Sequence, residues 1–146
     1  MFFLNLPLKD LNQSGACLAF GMATASGYHA VRSVERVLRA YYVALTGLDH
    51  IRSNDPKKSP RPIGKCNMST ITVALRSSEQ GDPKTLAVLD QIRELHRNPL
   101  GHPDTFLEVT EAMELFNVCT SAISAMARQL LQLAAQPAPV LQTPSA

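Results

Sequence analysis

The stretch GYHAVRSVERVLRAYY, Gly27 to Tyr42, decides the fold class. Its apolar residues Gly27, Ala30, Val31, Val34, Val37, Leu38 and Tyr41 recur at helical spacing, and Leu45 continues the stripe. Arg32, Arg36 and Arg39 lie on the opposite side of the wheel. Strand alternation is absent. The pattern predicts a helix capped by Thr24 or Ser26, ending near Leu45, with Gly47 just past its end. Glu35 sits at the margin of the apolar stripe, one turn from Val31, Leu38 and Tyr42. A carboxylate at the edge of a buried face usually has a partner.

Working outward, the same period recurs along most of the chain. A first helix is expected from about Asp10 to Met22, and a short one from Ser69 to Ser77. The "GDP" at 81–83 is a start signal, with Asp82 as N-cap and Pro83 at the first helical position. Leu86, Leu89, Ile92 and Leu95, with Val88 at the side, form the buried face of the helix that follows. It should end near Arg97, because Pro99 disfavours helical geometry at Asn98. A last helix is expected from about Val109 to Leu133, capped by Thr110, with Glu111 and Glu114 near its positive end. Its stripe is Ala112, Leu115, Phe116, Cys119, Ala122, Ile123, Met126, Leu130 and Leu133. Gly15, Gly21 and Gly27 recur every six residues, marking either a close helix contact or a loose pair with a glycine break.

The expected fold class is therefore all-α: an up-and-down bundle of four main helices plus a short one, in a single domain over 1–135. Between the second helix and the short one, about 49–65, lies a loop rich in proline and lysine. Its Lys57, Lys58, Arg61 and Lys65 suit either a basic arm for nucleic acid or a solvated loop. The tail 136–146 holds three prolines and no charged side chain and is expected to be disordered.

Bulk properties narrow the function. The chain has 146 residues, 45% of them apolar, and a net charge of +2. One core is affordable, and any nucleic-acid footprint must be local. Cys17, Cys66 and Cys119 lack metal-ligand spacing and read as reduced thiols of a cytoplasmic protein. Residues 11–31 carry no charged side chain other than His29. Asp10 and the run Asn12, Gln13, Ser14, Gly15 speak against a secretory leader or a membrane span there.

The chemistry concentrates in RELHRNPLGHPD, Arg93 to Asp104. One reading is electrostatic only: Arg93, His96 and Arg97 offset the negative end of a helix dipole. The other joins three residues. Arg97 offers a planar fork that matches phosphate. Asn98 can hold a backbone or ligand oxygen. His102 titrates near neutrality and can move a proton. Pro99 and Gly101 would turn the chain so that His102 returns toward Arg97. Such a pair suits phosphodiester chemistry with no metal and no cofactor. His29 and His50 read as surface residues, and Tyr28, Tyr41 and Tyr42 as core or interface.

Arg97-Asn98-Pro99-Leu100-Gly101-His102 matches the R-N-x-x-x-H form of the R-x(4–6)-H motif and so resembles the HEPN superfamily of RNases. Gly27 to Tyr42, with Glu35, resembles the earlier HEPN helix that carries an acidic or polar residue. The wider run VLDQIRELHRNPLGHPD is similar to bacterial HEPN-like proteins, and the resemblance spans roughly Leu11 to Leu133. It implies a homodimer whose two motifs meet, and a metal-independent attack of the RNA 2′-hydroxyl on the adjacent phosphate. It makes His102 the acid/base, Arg97 the stabiliser of phosphorane charge, Asn98 a positioning group, and Glu35 the residue that orients Arg97 or His102. It also implies an antitoxin or other protein partner. Pro103 and Asp104 stand where some family toxins continue as H-x-Y, so regulation through that tyrosine is not expected. Many members are catalytically silent modules for dimerisation and for partner or nucleotide binding, which is the second reading. An unrelated helical bundle is the third.

Overall fold

The computed structural model describes residues 5–52, 57 and 59–135, and of residues 5–7 the backbone. The expected tail, and residues 53–56 and 58 of the proline- and lysine-rich loop, lie outside the described residues. Chain order is α1 (Asn5–Ala19), α2 (Ala23–Thr46), β1 (His50–Ile51), β2 (Arg61–Pro62), a 3₁₀ turn (Ile63–Lys65), α3 (Met68–Ser77), α4 (Pro83–Ile92), a π turn (Arg93–Arg97), α5 (Asn98–Leu100) and α6 (Val109–Ala135). The fold is all-α apart from the antiparallel pair of short strands, in which His50 faces Pro62 and Ile51 faces Arg61.

α2 is the hub. Its stripe Gly27, Ala30, Val31, Val34, Val37, Leu38 and Tyr41 is buried, as the wheel requires. It packs chiefly against α1 and α6. Leu38, Tyr41, Leu89, Leu115 and Met126 are fully buried where α2, α4 and α6 meet. Each contributes about 1.5–3 kcal/mol by leaving water. Gly27 makes the close approach possible: a Cβ there would stand 2.6 Å from Leu107 Cδ1 and 3.2 Å from Leu115 Cδ2. Gly15 has open space, so of the three regularly spaced glycines only this one brings elements together.

Several boundaries differ from expectation. α1 begins at Asn5 and stops at Ala19, short of Met22. Gly21 is left-handed (φ +71°), Met22 N–H reaches Cys17 O, and Gly21 N–H reaches Leu18 O. This double bond pattern satisfies the last carbonyls and ends the helix. α2 starts at Ala23 without a side-chain cap. Thr24 Oγ1 instead accepts from Leu107 N at 3.0 Å. Ser26 is buried and meets Ser14, whose Oγ donates to Ser26 O at 2.9 Å. Both hydroxyls were drawn away by tertiary contacts. At the other end Gly47 caps α2 in the left-handed region, as expected.

Thr110 does not cap α6, which already includes Val109. Glu111 Oε2 accepts from Glu108 N at 2.8 Å, the reaching-back bond of a capping box. The stripe of α6 is buried at Ala112, Leu115, Cys119, Ala122 and Met126, whereas Leu133 is 41% exposed near the helix end. Asp82 and Pro83 start α4 as expected, with Asp82 Oδ2 accepting from Thr85 N at 2.8 Å.

The largest correction concerns the far end of that helix. It does not stop near Arg97. It runs through a wide turn at Arg93–Arg97 and resumes as α5, with Asn98 fully helical at φ −67°, ψ −49°. Asn98 N–H bonds to Arg93 O, five residues back. Proline lacks the N–H that would bond Leu95 O, and in a regular helix its ring would strike that carbonyl. The wide turn relieves the clash with one extra residue. Everything beyond it is rotated by roughly 100°, one residue's share of a 3.6-residue turn. Leu95 therefore points outward, 60% exposed, and Leu100 takes the buried place at 2%.

Candidate functional site

The polar edge of α2 carries Tyr28, Arg32 and Glu35 at the spacing i, i+4, i+7, so all three face the same way. α5 and the end of the π turn cross this edge. Between them lies an open cleft of about 200 Å³. Val31 and Leu100 form its apolar wall, Gly101 continues it, and Tyr28, Arg32, Glu35 and Arg97 supply its polar groups. The Tyr28 hydroxyl donates to the carbonyl of Leu100, which fixes α5 against α2.

Glu35 is the pivot. Its side chain is 17% exposed. Arg97 Nε donates to its Oε1 at 3.3 Å. Arg39, one turn on, approaches Oε2 at 3.9 Å and donates from Nη2 to Cys66 O at 3.2 Å. The carboxylate at the edge of the stripe thus has the partners its position called for. Arg97 is held through Nε, yet 43% of its side chain stays open to solvent. A guanidinium so fixed in direction remains able to meet an anion.

A second ionic cluster adjoins the first. Asp10, 6% exposed, reaches across from α1. Its Oδ2 meets Arg36 Nη1 at 2.7 Å, and its Oδ1 lies 3.3 Å from His29 Nδ1 and 3.8 Å from Arg32 Nε. His29 is therefore a half-buried partner of Asp10. Arg32 serves both places, being 59% exposed beside Asp10 and also on the cleft wall.

Of the expected site residues, the fold brings Glu35 and Arg97 together and leaves Asn98 and His102 apart from the cleft. Both are exposed. His102 belongs to the turn after α5, where its N–H bonds to Pro99 O at 2.9 Å and its carbonyl accepts from Thr105 N at 3.2 Å. Tyr41 and Tyr42 are core residues, while Tyr28 is half-exposed on the cleft rim. Tyr28 and Arg32 join the cleft beside the residues expected from sequence. The signal was present in their spacing to Glu35, but it acquires meaning only once α5 is placed against that edge.

His96, one residue before Arg97, is half-buried. Burial pushes its imidazole below the ordinary pKa, against the opposing pull of the carboxylates of Glu114 and Glu111. Cys17, Cys66 and Cys119 are buried free thiols, and burial pushes Cys119 up to about 12. Such thiols are inert. Among the described residues, no group of three His, Cys, Asp or Glu side chains is placed to hold a metal ion, and no helix is long and apolar enough to cross a membrane.

No protein-family model, curated protein or solved structure matches the chain.

Proposed function

We propose that the chain is a HEPN-type endoribonuclease, a toxin or defence component acting in the cytoplasm, and that its helices form an up-and-down bundle of that family. The observation that carries the reading is Arg97 of the R-N-x-x-x-H segment, held by Glu35 of the neighbouring helix at the mouth of an open cleft. A positioned but solvent-accessible guanidinium is what a phosphodiester transition state requires.

In this reading the RNA 2′-hydroxyl attacks the adjacent phosphorus. A bond forms between the 2′-oxygen and phosphorus, and the bond from phosphorus to the 5′-oxygen breaks. His102 accepts the hydroxyl proton and returns it to the leaving 5′-oxygen. Arg97 matches the charge that builds on the equatorial oxygens, and Asn98 holds the phosphate or backbone beside it. One copy of the chain carries both Asn98 and His102 outside its own cleft, so the reading calls for a homodimer in which two motifs share one strand. The exposed apolar residues Met22 (50%), Phe106 (80%) and Met113 (53%) support an interface near this end. An antitoxin or other protein partner follows from the toxin role.

The second reading is a silent HEPN-like module that dimerises and binds a partner or nucleotide. The exposure of Asn98 and His102 favours it. A time course on single-stranded RNA in EDTA separates the two. The first reading expects products ending in a 2′,3′-cyclic phosphate and a 5′-hydroxyl. His102→Ala and Arg97→Ala should each lose at least about 10²-fold in rate, with helicity retained. Equal cleavage by all three proteins would expose a contaminant, and no cleavage by folded wild type across varied RNAs would leave the silent module.

A further inference from the structure

We infer that Pro99 is a positioning residue: by forcing the π turn at Arg93–Arg97, it aims Arg97 at Glu35. The effect on Arg97 stands on geometry alone. Its consequence for RNA cleavage rests on the function proposed above.

Local and tertiary preferences conflict at Pro99. Pro99 lies inside helical backbone, between Asn98 and Leu100. There it removes a helical hydrogen bond and its ring presses on the carbonyl of Leu95. Local preference would end the helix. Tertiary structure opposes that ending. Leu100 is 2% exposed, its carbonyl accepts from Tyr28, and it stands beside Gly27, where an added Cβ would lie 3.3 Å from Leu100 Cδ1. The chain satisfies both demands by widening one turn, with Asn98 N–H bonded to Arg93 O.

The widening sets direction. Counting from buried Ile92 in a regular helix, Arg97, five residues on, would point roughly 140° away from it. Through the wide turn, five residues make about one revolution, so Arg97 returns to the side of Ile92 and meets Glu35. The extra residue is accommodated on the solvent side: Leu95 is 60% exposed and Glu94 is exposed. A bulge kept at a proline, with its displaced residues in solvent and its rotated residue in an ion pair, is a device for aiming Arg97.

Pro99→Ala removes the clash and lets the segment tighten, turning Arg97 off Glu35. Deleting Leu95 in that variant removes the surplus residue. Four residues of regular helix then make about one turn, so Arg97 faces Glu35 again. A proline that merely stiffened the chain would not be replaced by a deletion four residues away.

The experiment is NMR on the full chain, following the Arg97 Nε–H signal and the Asn98 amide, with RNA cleavage measured in parallel. Pro99→Ala should speed exchange of the Arg97 Nε–H by about tenfold or more, as expected when a hydrogen bond to a charged group is lost. Cleavage should fall by about 10²-fold, the usual effect of a group displaced by an ångström or so. Pro99→Ala with Leu95 deleted should restore both. An unchanged Arg97 signal in Pro99→Ala would overturn the inference, and so would failure of the deletion to restore it. If Pro99→Ala does not fold, the double variant decides alone, because its Arg97 signal is either protected as in wild type or lost. A restored signal with no cleavage by any protein, wild type included, would support the positioning role and refute the ribonuclease reading.

Discussion

Pro83 stands at the first position of α4, and Pro99 stands near the end of its continuation in α5. At Pro83 the missing N–H is one the helix would not have used, and the fixed φ suits the first turn. The backbone around it is regular, and the neighbouring polar groups are paired. Asp82 accepts from the backbone N–H and the hydroxyl of Thr85, both at 2.8 Å. Asp82 N–H meets Tyr41 Oη and Gln129 Oε1, each at 3.2 Å. Tyr41 in turn donates to Gln129, and burial pushes its phenol above the ordinary pKa. At Pro99 the same residue type meets an interior position. The helix widens, and the charged groups nearby stay partly in water. One end of the helix is spent on stability. The other keeps a fixed but accessible arginine beside a cleft. The contrast teaches that proline at a helix start is a local matter, whereas proline inside a helix is settled by what the rest of the fold insists on burying.

The two ends should nevertheless be equal in their apolar anchors, and this is the largest effect expected. Leu86 is 3% exposed near the start and Leu100 is 2% exposed near the end. Leu86→Ala and Leu100→Ala should each cost about 2–5 kcal/mol, the usual range for a core leucine. Urea unfolding followed by far-UV circular dichroism measures both. A loss under about 1 kcal/mol for Leu100→Ala would mean that α5 is not anchored and that the wide turn has nothing holding it open.

The caps give the next effect. Asp82→Ala should cost about 1 kcal/mol, as for other N-cap removals. It also predicts a pH dependence. The hydrogen bond from the Thr85 backbone, then the one from the Thr85 hydroxyl, hold the Asp82 carboxyl below the ordinary range. The folded state therefore binds its proton less readily than the unfolded chain. The stability contributed is fully present above the unfolded value, near about 3.9, and is lost as pH falls through the folded value. Melting temperatures of wild type and Asp82→Ala should converge as the pH drops from about 5 toward 2. Parallel curves would show that the side chain does not cap as a carboxylate.

What could be read from sequence follows the same division. The α2 stripe, Gly47 after it, and the Asp82–Pro83 start are short-range patterns whose physics is complete within a few residues. Glu35 was legible as a carboxylate at a buried edge, and it does have cationic partners. The end of α1 escapes the sequence pattern because Gly21 lies inside an apolar run, and only its left-handed backbone marks the stop. Residue type alone marks Thr24 and Thr110 as caps. Thr24 is claimed instead by Leu107, and at Thr110 the helix has already begun. Leu95 and the continuation past Arg97 escape the sequence pattern for one reason. The wide turn depends on Pro99 and on the seating of Leu100 against Gly27 and Tyr28; those two lie far from it in sequence, and no local rule contains them. The same turn decides which way Arg97, Asn98 and His102 face, so the motif was legible and its geometry was not.

The smallest stability effect belongs to the pair that carries the proposed function. Were Glu35 and Arg97 dry, removing one would strand a buried charge at a cost of about 3–5 kcal/mol. They are not dry: the Arg97 side chain is 43% exposed and the contact is 3.3 Å through Nε alone. Solvent screens such a pair, and Glu35→Gln keeps the volume and one acceptor oxygen. The expected loss is under about 1 kcal/mol. Arg39 softens it further, because its Nη2 retains the carbonyl of Cys66 when the carboxylate is gone. Cleavage should respond far more strongly. An arginine no longer fixed by charge loses its direction, and a misplaced group costs about 10²-fold. Chemical denaturation and the RNA time course, run on the same preparation, give both numbers. A stability loss above about 3 kcal/mol would make the pair a buried structural bridge and would erase the distinction between the two ends of the helix. A small loss with undiminished cleavage would take Glu35 out of the site and leave Arg97 to be oriented by the backbone that Pro99 bends.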